Sequence, residues 1–283
     1  MKKEALIFLL FLILYNGIFA QFKQNLILPK AKNRIIVIAH RGDHTRAPEN
    51  SIPAIKNAIK DGADYVEIDL RTTADGRLVI MHDATVNRMT NGIGKISQMN
   101  YDSLRALKLF NKNIPNSDTL TIPNFEEILS VCKNKINIYL DFKDANVEQV
   151  YSEILKAKMQ NQIVVYINTP QQFIAWRKTA PNIPLILSLN TKIKDSISMA
   201  NYIKRIDIDI LDGNWDEYTI ETVRSAFVNG VPVWADMQSN QEDEIYWQKG
   251  LSLGLLGIQT DHPKELIKFL HKIYPQINLY SKF

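Results

Sequence analysis

The chain has 283 residues, of which 46% are hydrophobic and 23% are charged, and its formal net charge is +4 at pH 7. This length suits a single domain with a substantial apolar core. The basic excess is small and is not gathered into a dense block of lysine and arginine, which argues against nucleic-acid binding. The one cysteine, Cys132, excludes an intramolecular disulfide, so the fold must rely on packing.

The first twenty residues have the pattern of a secretory signal peptide. Lys2 and Lys3 precede an apolar run over residues 5–19, and Ala20 offers a small side chain at the cleavage position. The run is too short to favour a membrane span, although an uncleaved N-terminal anchor is the alternative. We therefore expect a signal peptide over residues 1–20 and a single mature domain over residues 21–283. That domain would be periplasmic or secreted, with no stable membrane span after cleavage.

Beyond residue 21, short β-branched runs alternate with amphipathic helical stretches. The helices have recognisable ends: Ser51 can cap a helix that Gly62 ends, and Asn124 with Glu127 resembles a capping box. Strand followed by helix, repeated along the chain, predicts a parallel sheet with helices packed outside it. The predicted strands span residues 34–40, 65–71, 78–83, 136–142, 163–168, 184–189, 207–212, 232–236 and 256–260.

One of these runs follows a strong hairpin signal. Asp75-Gly76 is a dipeptide typical of a two-residue β-hairpin turn, which would place Asp69 opposite His82. The run 78–83 then extends the second strand as a hairpin, and eight parallel strands remain. We therefore expect an α/β fold, a distorted (β/α)8 TIM barrel with a hairpin extension after the second strand, in preference to an open doubly wound sheet.

Two carboxylates stand close together on the second predicted strand. Glu67 and Asp69 are two residues apart, so their side chains leave the same face about 7 Å from each other. Carboxylates that repel in this way are commonly bridged by a hard divalent cation such as Ca²⁺ or Mg²⁺. The alternative is that one of them faces solvent or pairs with Arg71 or Arg77. Placing His82 opposite Asp69 favours the metal site.

Two histidines follow predicted strands. His40 ends an apolar strand, where the catalytic face of a barrel lies, and His82 ends the hairpin strand. Imidazole titrates near neutrality, so one ring can accept a proton from an attacking oxygen while the other donates one to a departing oxygen. Arg41 offers a planar donor fork for phosphate oxygens, with a structural ion pair to Glu49 as the alternative. Together these groups suit phosphodiester chemistry.

Taken in order, these motifs resemble the signature of the glycerophosphodiester phosphodiesterase family. The ordered set is far more specific than any one motif, and the similarity covers nearly the whole mature chain. The matching segments are His40-Arg41-Gly42, Pro48-Glu49-Asn50-Ser51, Glu67-Ile68-Asp69-Leu70, Asp75-Gly76, His82-Asp83, Thr90-Asn91-Gly92, Gly94-Lys95, Ile122-Pro123-Asn124-Phe125-Glu126-Glu127, Trp234 and Gly257-Ile258-Gln259-Thr260-Asp261.

The resemblance implies metal-dependent hydrolysis of a small-molecule glycerophosphodiester to sn-glycerol 3-phosphate and an alcohol. It implies one divalent cation, Ca²⁺ or Mg²⁺, as cofactor. Direct attack by water and a cyclic phosphate intermediate both remain open. The roles implied at matching positions are an acid/base pair for His40 and His82, metal ligation for Glu67 and Asp69, phosphate binding for Arg41, and support of the site for Glu49. His40 is favoured as the base and His82 as the acid, although the reverse assignment also remains open.

The chain departs from the family pattern at three places, and at one of them Ser51 replaces the family's usual threonine but keeps the hydroxyl. The third metal ligand would be Asp141, where the family has a glutamate, so the cation must lie closer to that strand or a water must bridge the gap. Lys143 would still reach a phosphate oxygen. Trp234 would line the glycerol pocket, with core packing as the alternative, and the residues after it, 235–238, differ from the family pattern.

Three other functions fit parts of the sequence. A phospholipase of the sphingomyelinase D type, acting on choline lipids, would suit Asp141, whereas the Pro48-Glu49-Asn50-Ser51 run and the end of the chain argue against it. A catalytically inactive binding protein on the same barrel is disfavoured because both histidines and the Glu67/Asp69 pair are present. A divalent-metal phosphatase of monoesters is the third alternative.

Overall fold

The computed structural model describes residues 28–110, 119–190 and 192–274, so the predicted signal peptide over residues 1–20 lies outside the described residues. The strands are β1 (Ile36–Ala39), β2 (Tyr65–Thr72), β3 (Leu78–Ile80), β4 (Asn137–Phe142), β5 (Ile163–Ile167), β6 (Leu185–Ser188), β7 (Ile210–Asp212), β8 (Trp234–Asp236) and β9 (Gly257–Thr260). The α-helices are α1 (Ile52–Asp61), α2 (Tyr101–Ala106), α3 (Phe125–Cys132), α4 (Val147–Ala157), α5 (Pro170–Thr179), α6 (Ser196–Arg205), α7 (Ile220–Val228), α8 (Glu244–Ser252) and α9 (Pro263–Ile273).

All the strands except β3 form a parallel sheet in the spatial order β7-β6-β5-β4-β2-β1-β9-β8. The two outer strands approach each other, because Leu211 bridges Val233 and Asn214 bridges Asp236. The sheet therefore curls into a nearly closed barrel with helices between successive strands. This confirms the predicted (β/α)8 fold, in which the carboxyl ends of the strands form the catalytic face.

Strand β3 is the predicted hairpin extension, and it pairs antiparallel with β2. Leu70 pairs with Ile80, and the amide of Met81 donates to the Asp69 carbonyl at 2.9 Å. Met81, and not His82, therefore lies opposite Asp69. The predicted register is wrong by one residue.

The connection between β2 and β3 explains this difference. Thr72 pairs with Leu78, so the chain turns through residues 73–77 and not through a two-residue loop. The amide of Gly76 donates to the Thr73 carbonyl at 3.0 Å, and Gly76 has φ 77°. Asp75-Gly76 does make the turn, but inside a longer loop whose length the dipeptide does not set.

The helix ends predicted from sequence are present. The Ser51 side chain accepts a hydrogen bond from the amide of Ala54 at the start of α1, and Gly62 ends that helix in the left-handed conformation. Asn124 and Glu127 form a reciprocal capping box at α3, on which Cys132 is fully buried. Within the described residues, the helices are too short or too polar to cross a bilayer.

Candidate active site

The side chains predicted to act together meet at the carboxyl ends of the strands, around a cavity of about 290 Å³. His40 directly follows β1, and Asp69 on β2 pairs in register with Asp141 on β4. Parallel pairing thus brings residues far apart in sequence to one edge of the barrel. The cavity is lined by His40, Arg41, Glu67, Asp69, His82, Tyr139, Asp141, Lys143, Tyr166, Asn168, Asp212, Asp236, Gln238 and Gln259.

Three carboxylates converge on one side of this cavity. Oxygen atoms of Glu67, Asp69 and Asp141 lie within 4.8 Å of one another, and Glu67 and Asp69 are almost completely buried. Burial, with the charges of Asp69 and Asp141, raises the pKa of Glu67 well above its usual value. Buried carboxylate oxygens that repel one another in this way match the ligands that a hard divalent cation prefers. The three residues could hold such an ion.

Two cationic side chains offset part of this charge. The Lys143 ammonium contacts Asp141 and lies 3.1 Å from Asp69 Oδ1, and these neighbours raise its pKa even though burial lowers it. Arg41 Nε lies 3.6 Å from Asp69 Oδ2, and the Arg41 amide donates to Glu67 at 2.8 Å. Burial disfavours ionisation of Asp69, but the charges of Lys143, His82 and Arg41 outweigh it and lower the pKa of that carboxyl. Asp69 is therefore held as a carboxylate.

The loop that carries Arg41 is tightly constrained. Arg41 has φ 52°, an uncommon conformation for a residue with a side chain, and Gly42 follows with φ 82°. A Cβ on Gly42 would lie 2.7 Å from the backbone of Ala54 in α1. Close packing of this loop on α1 thus fixes the direction in which Arg41 points.

The His40 ring is held by a carboxylate that directly follows the last strand of the barrel, β9. Its Nδ1 lies 2.6 Å from Asp261 Oδ1, and His44 Nε2 reaches the same oxygen at 2.9 Å. Because Nδ1 faces Asp261, Nε2 is left for proton transfer. The amide of Asp261 donates in turn to Glu242. Sequence reasoning included Asp261 in a motif without giving it a role, and it left His44 aside.

His82 is held in a similar way. Its Nδ1 lies 2.7 Å from Asp83 Oδ1, and Arg88 Nε donates to Asp83 Oδ2 at 2.8 Å. Arg88 also donates two hydrogen bonds to Glu49, which accepts a third from Arg41. Glu49 therefore lies behind the cavity wall and couples the arginine of one motif to the histidine of another. Arg88 was not singled out in the sequence, since only the folded network shows its role.

Trp234 does not line the cavity. It is fully buried in the interior of the barrel, with its ring centroid 5.0 Å from that of Tyr65. The side chain that reaches the cavity from β8 is Asp236, two residues further along the same face of the strand. The structure thus corrects the expected substrate contact, because it places Trp234 in core packing below the cavity.

Comparison with known proteins agrees with this geometry. The profile of the Glycerophosphoryl diester phosphodiesterase family matches residues 40–265. The chain belongs to this family of phosphoric diester hydrolases. The match runs from the first candidate catalytic histidine to the start of α9, so it includes every predicted site residue. It does not assign the roles of individual residues.

Similarity to individual proteins also indicates the glycerophosphodiester phosphodiesterase family. The chain is 27% identical to a glycerophosphodiester phosphodiesterase of Caldanaerobacter subterraneus, over 84% of this chain and 99% of the relative. It is 35% identical to glycerophosphodiester phosphodiesterase 1 of Bos taurus over 54% of this chain, a match that spans about half (49%) of the bovine protein. An Oleispira antarctica phosphodiesterase, solved with the product sn-glycerol-3-phosphate, shares the fold with a TM-score of 0.71 and 22% identity, over 83% of this chain and 96% of that one.

Proposed function

We propose that this chain is a metal-dependent glycerophosphodiester phosphodiesterase that releases sn-glycerol 3-phosphate and an alcohol from a small glycerophosphodiester. The observation that carries the proposal is the convergence of Glu67, Asp69 and Asp141 beside two carboxylate-held imidazoles in one cavity. The names of the relatives support the substrate class, as does the sn-glycerol-3-phosphate bound to the Oleispira antarctica protein.

Glu67, Asp69 and Asp141 are the residues that would hold one divalent cation, Ca²⁺ or Mg²⁺. When bound, the cation would supply Lewis-acid polarisation of the phosphate and lower the pKa of an attacking oxygen. Asp141 has both oxygens engaged already, Oδ1 by the Asn168 amide at 2.7 Å and Oδ2 by Lys143. This bracing holds the shorter aspartate side chain toward the cavity.

The other side chains can bind the phosphate and move protons. Arg41 and Lys143 present donors to the non-bridging phosphate oxygens from the same side as the carboxylates. His40 Nε2 accepts the proton of the attacking oxygen, and Asp261 at Nδ1 stabilises the resulting imidazolium. His82 donates a proton to the oxygen of the departing alcohol, so the bond from phosphorus to that oxygen breaks without forming an alkoxide. The geometry is equally compatible with the reverse assignment.

The test is release of glycerol 3-phosphate from a panel of glycerophosphodiesters, first with a chelator and then after addition of Ca²⁺ or Mg²⁺. We expect turnover to fall to background with the chelator and to return with the ion. Turnover that is indifferent to the chelator would contradict the role given to the three carboxylates. Phosphate release from glycerol 3-phosphate itself, or choline release from sphingomyelin in preference to the glycerophosphodiesters, would favour the two rival enzymes.

We also propose that the chain acts outside the cytoplasm, in the periplasm or the medium. The support is the sequence of residues 1–20, in which two lysines precede an apolar run that ends at Ala20. Sequencing the N-terminus of the protein from a secreting host should give Gln21 as the first residue. A protein that keeps Met1 would contradict cleavage.

A further inference from the structure

The side of the cavity opposite the three carboxylates is also acidic. Asp212 ends β7 and Asp236 ends β8, and the closure of the barrel brings these two strands side by side. Gln259 of β9 lies next to them, since its Nε2 donates to Asp236 Oδ1. We refer to Asp212, Asp236 and Gln259 as the acidic wall. All three line the cavity, and the chemistry of phosphodiester cleavage described above uses none of them.

Two acceptors in the acidic wall lack side-chain donors among the described residues. Asp212 is only 3% exposed, and Tyr139 donates its hydroxyl to Asp212 Oδ2, whereas Asp212 Oδ1 accepts no hydrogen bond from any side chain that the structure describes. Gln259 is 6% exposed, and its Oε1 has no partner among the described residues. Buried acceptors are nearly always paired in native proteins. The unpaired Gln259 Oε1 therefore indicates that a donor from outside the chain completes the wall, whereas Asp212 also has the backbone amide of Gly213 beside it.

The charge of the cavity indicates what kind of donor this is. Five carboxylates line it, whereas its two permanently cationic side chains, Arg41 and Lys143, both lie against Asp69 on the far side. One divalent cation and one singly charged phosphodiester would leave the cavity negative. Burial and the charge of Asp236 raise the pKa of Asp212 well above its usual value, as expected for carboxylates without a counter-ion. A neutral ligand would leave that repulsion in place.

We propose that the acidic wall is a subsite for a primary ammonium group on the alcohol of the substrate, as in an ethanolamine headgroup. The half-buried Asp236 carboxylate would pair with the ammonium, Asp212 would lie behind it, and Gln259 would accept an N–H at its free carbonyl oxygen. The inference rests on the proposed function, because the diester phosphate must lie at the three-carboxylate side for its alcohol to reach this wall.

A quaternary ammonium group fits the acidic wall less well. Trimethylammonium has no N–H to offer the unpaired acceptors, and its usual partners are the faces of several aromatic rings. Among the described residues, Tyr139 and Tyr166 are the only phenylalanine, tyrosine or tryptophan side chains that line the cavity, and they lie nearly parallel, with centroids 6.1 Å apart. Two parallel rings do not enclose a cation. The wall therefore discriminates between an ethanolamine and a choline headgroup.

The experiment compares kcat/KM for glycerophosphoethanolamine, glycerophosphoglycerol and glycerophosphocholine, using the purified full chain with divalent cation present. We expect the ethanolamine diester to be preferred over the other two by about tenfold, the size of one charge-assisted hydrogen bond. Asp236→Asn keeps the shape of the side chain and an acceptor for Gln259 but removes the negative charge. It should therefore abolish this preference, mainly by raising KM for the ethanolamine diester. Asp216→Asn, an exposed carboxylate outside the cavity, is the matched control and should preserve the preference.

Calorimetric binding of glycerophosphoethanolamine and glycerophosphoglycerol separates this inference from the proposed function. Selective binding of glycerophosphoethanolamine without turnover of any diester would support the subsite and contradict the proposed function. Turnover without headgroup preference, or an equal loss on all three diesters in Asp236→Asn, would overturn the subsite alone. Two bound Ca²⁺ or Mg²⁺ ions per chain, reduced to one by Asp236→Asn, would overturn it in favour of a second cation site.

Discussion

At the scale of single residues, each candidate catalytic histidine is paired with a carboxylate. His40 is held by Asp261 and His82 by Asp83, in both cases through Nδ1. A carboxylate at Nδ1 fixes the ring and stabilises its protonated form, which serves a base that gains a proton and an acid that must hold one. The geometry thus supports both proton-transfer roles without deciding between them.

Replacing His40 should remove most of the activity. General acid–base catalysis contributes roughly 10²–10⁴-fold to rate, so His40→Ala should lower kcat by about that factor and leave the fold intact. The measurement is steady-state release of glycerol 3-phosphate, with circular dichroism as the check on folding. His271→Ala, an exposed histidine on α9, is the control and should behave as wild type. Full turnover in His40→Ala would contradict the catalytic role of this ring.

The contact between His44 and Asp261 should make stability depend on pH. Burial lowers the pKa of His44, but the hydrogen bond and charge of Asp261 outweigh it and raise that pKa above the usual 6.5, while both histidines lower the pKa of Asp261 below the usual 3.8. The His44 contribution is complete below pH 6.5 and is lost as pH rises through its folded pKa. The Asp261 contribution is complete above pH 3.8 and is lost as pH falls.

The pair should therefore stabilise the fold most between about pH 4 and 6.5. Urea unfolding of wild type and His44→Gln across this range gives the measurement. We expect the difference in free energy of unfolding to be largest near pH 5 and to shrink toward pH 8. A difference that stays constant with pH would show that His44 acts through packing and not through its charge.

At the scale of elements, substitutions at two glycines distinguish the cost of backbone strain from the cost of a steric clash. Gly42 and Gly62 both have positive φ, but a Cβ on Gly62 would meet nothing within 4 Å, whereas on Gly42 it would press into α1. Gly62→Ala should therefore cost roughly 1–2 kcal/mol of stability, from strain alone, and keep activity. Gly42→Ala should cost more and also lower kcat, because Arg41 precedes it. Urea unfolding and glycerol 3-phosphate release on both variants measure the two effects, and equal activity in the two would contradict the role of this loop.

The sequence predicts the elements well because their signals are local. The capping box at Asn124 and the glycine at the end of α1 act within a few residues, and both are found as expected. The hairpin register is wrong because Asp75-Gly76 specifies a turn but not the length of the loop around it. A register error of one residue moved the predicted partner of Asp69 from Met81 to His82.

At the scale of the whole molecule, several of the contacts that sequence reasoning missed are made where the first and last strands of the barrel pair. His40 and Asp261 are 221 residues apart, and they meet because β1 and β9 pair. Asp212 and Asp236 face one cavity because β7 and β8 meet at the point of closure. No local pattern marks such pairs, whereas Glu67 and Asp69 lie on one strand and were found directly.

The pairing of β2 with β4 should make the stability of the fold depend on the proposed cation. Three carboxylates brought together by β2 and β4 repel each other in the folded state more than in the unfolded chain, so an ion that binds them stabilises only the former. At a concentration one hundred times its Kd, such an ion adds about 2.7 kcal/mol, which for a chain of this size raises Tm by roughly 5–10 °C. Thermal unfolding with chelator and with added Ca²⁺ or Mg²⁺ measures this shift. Asp141→Asn should remove most of it while Asp216→Asn keeps it, and an equal shift in both variants would show that the ion binds elsewhere.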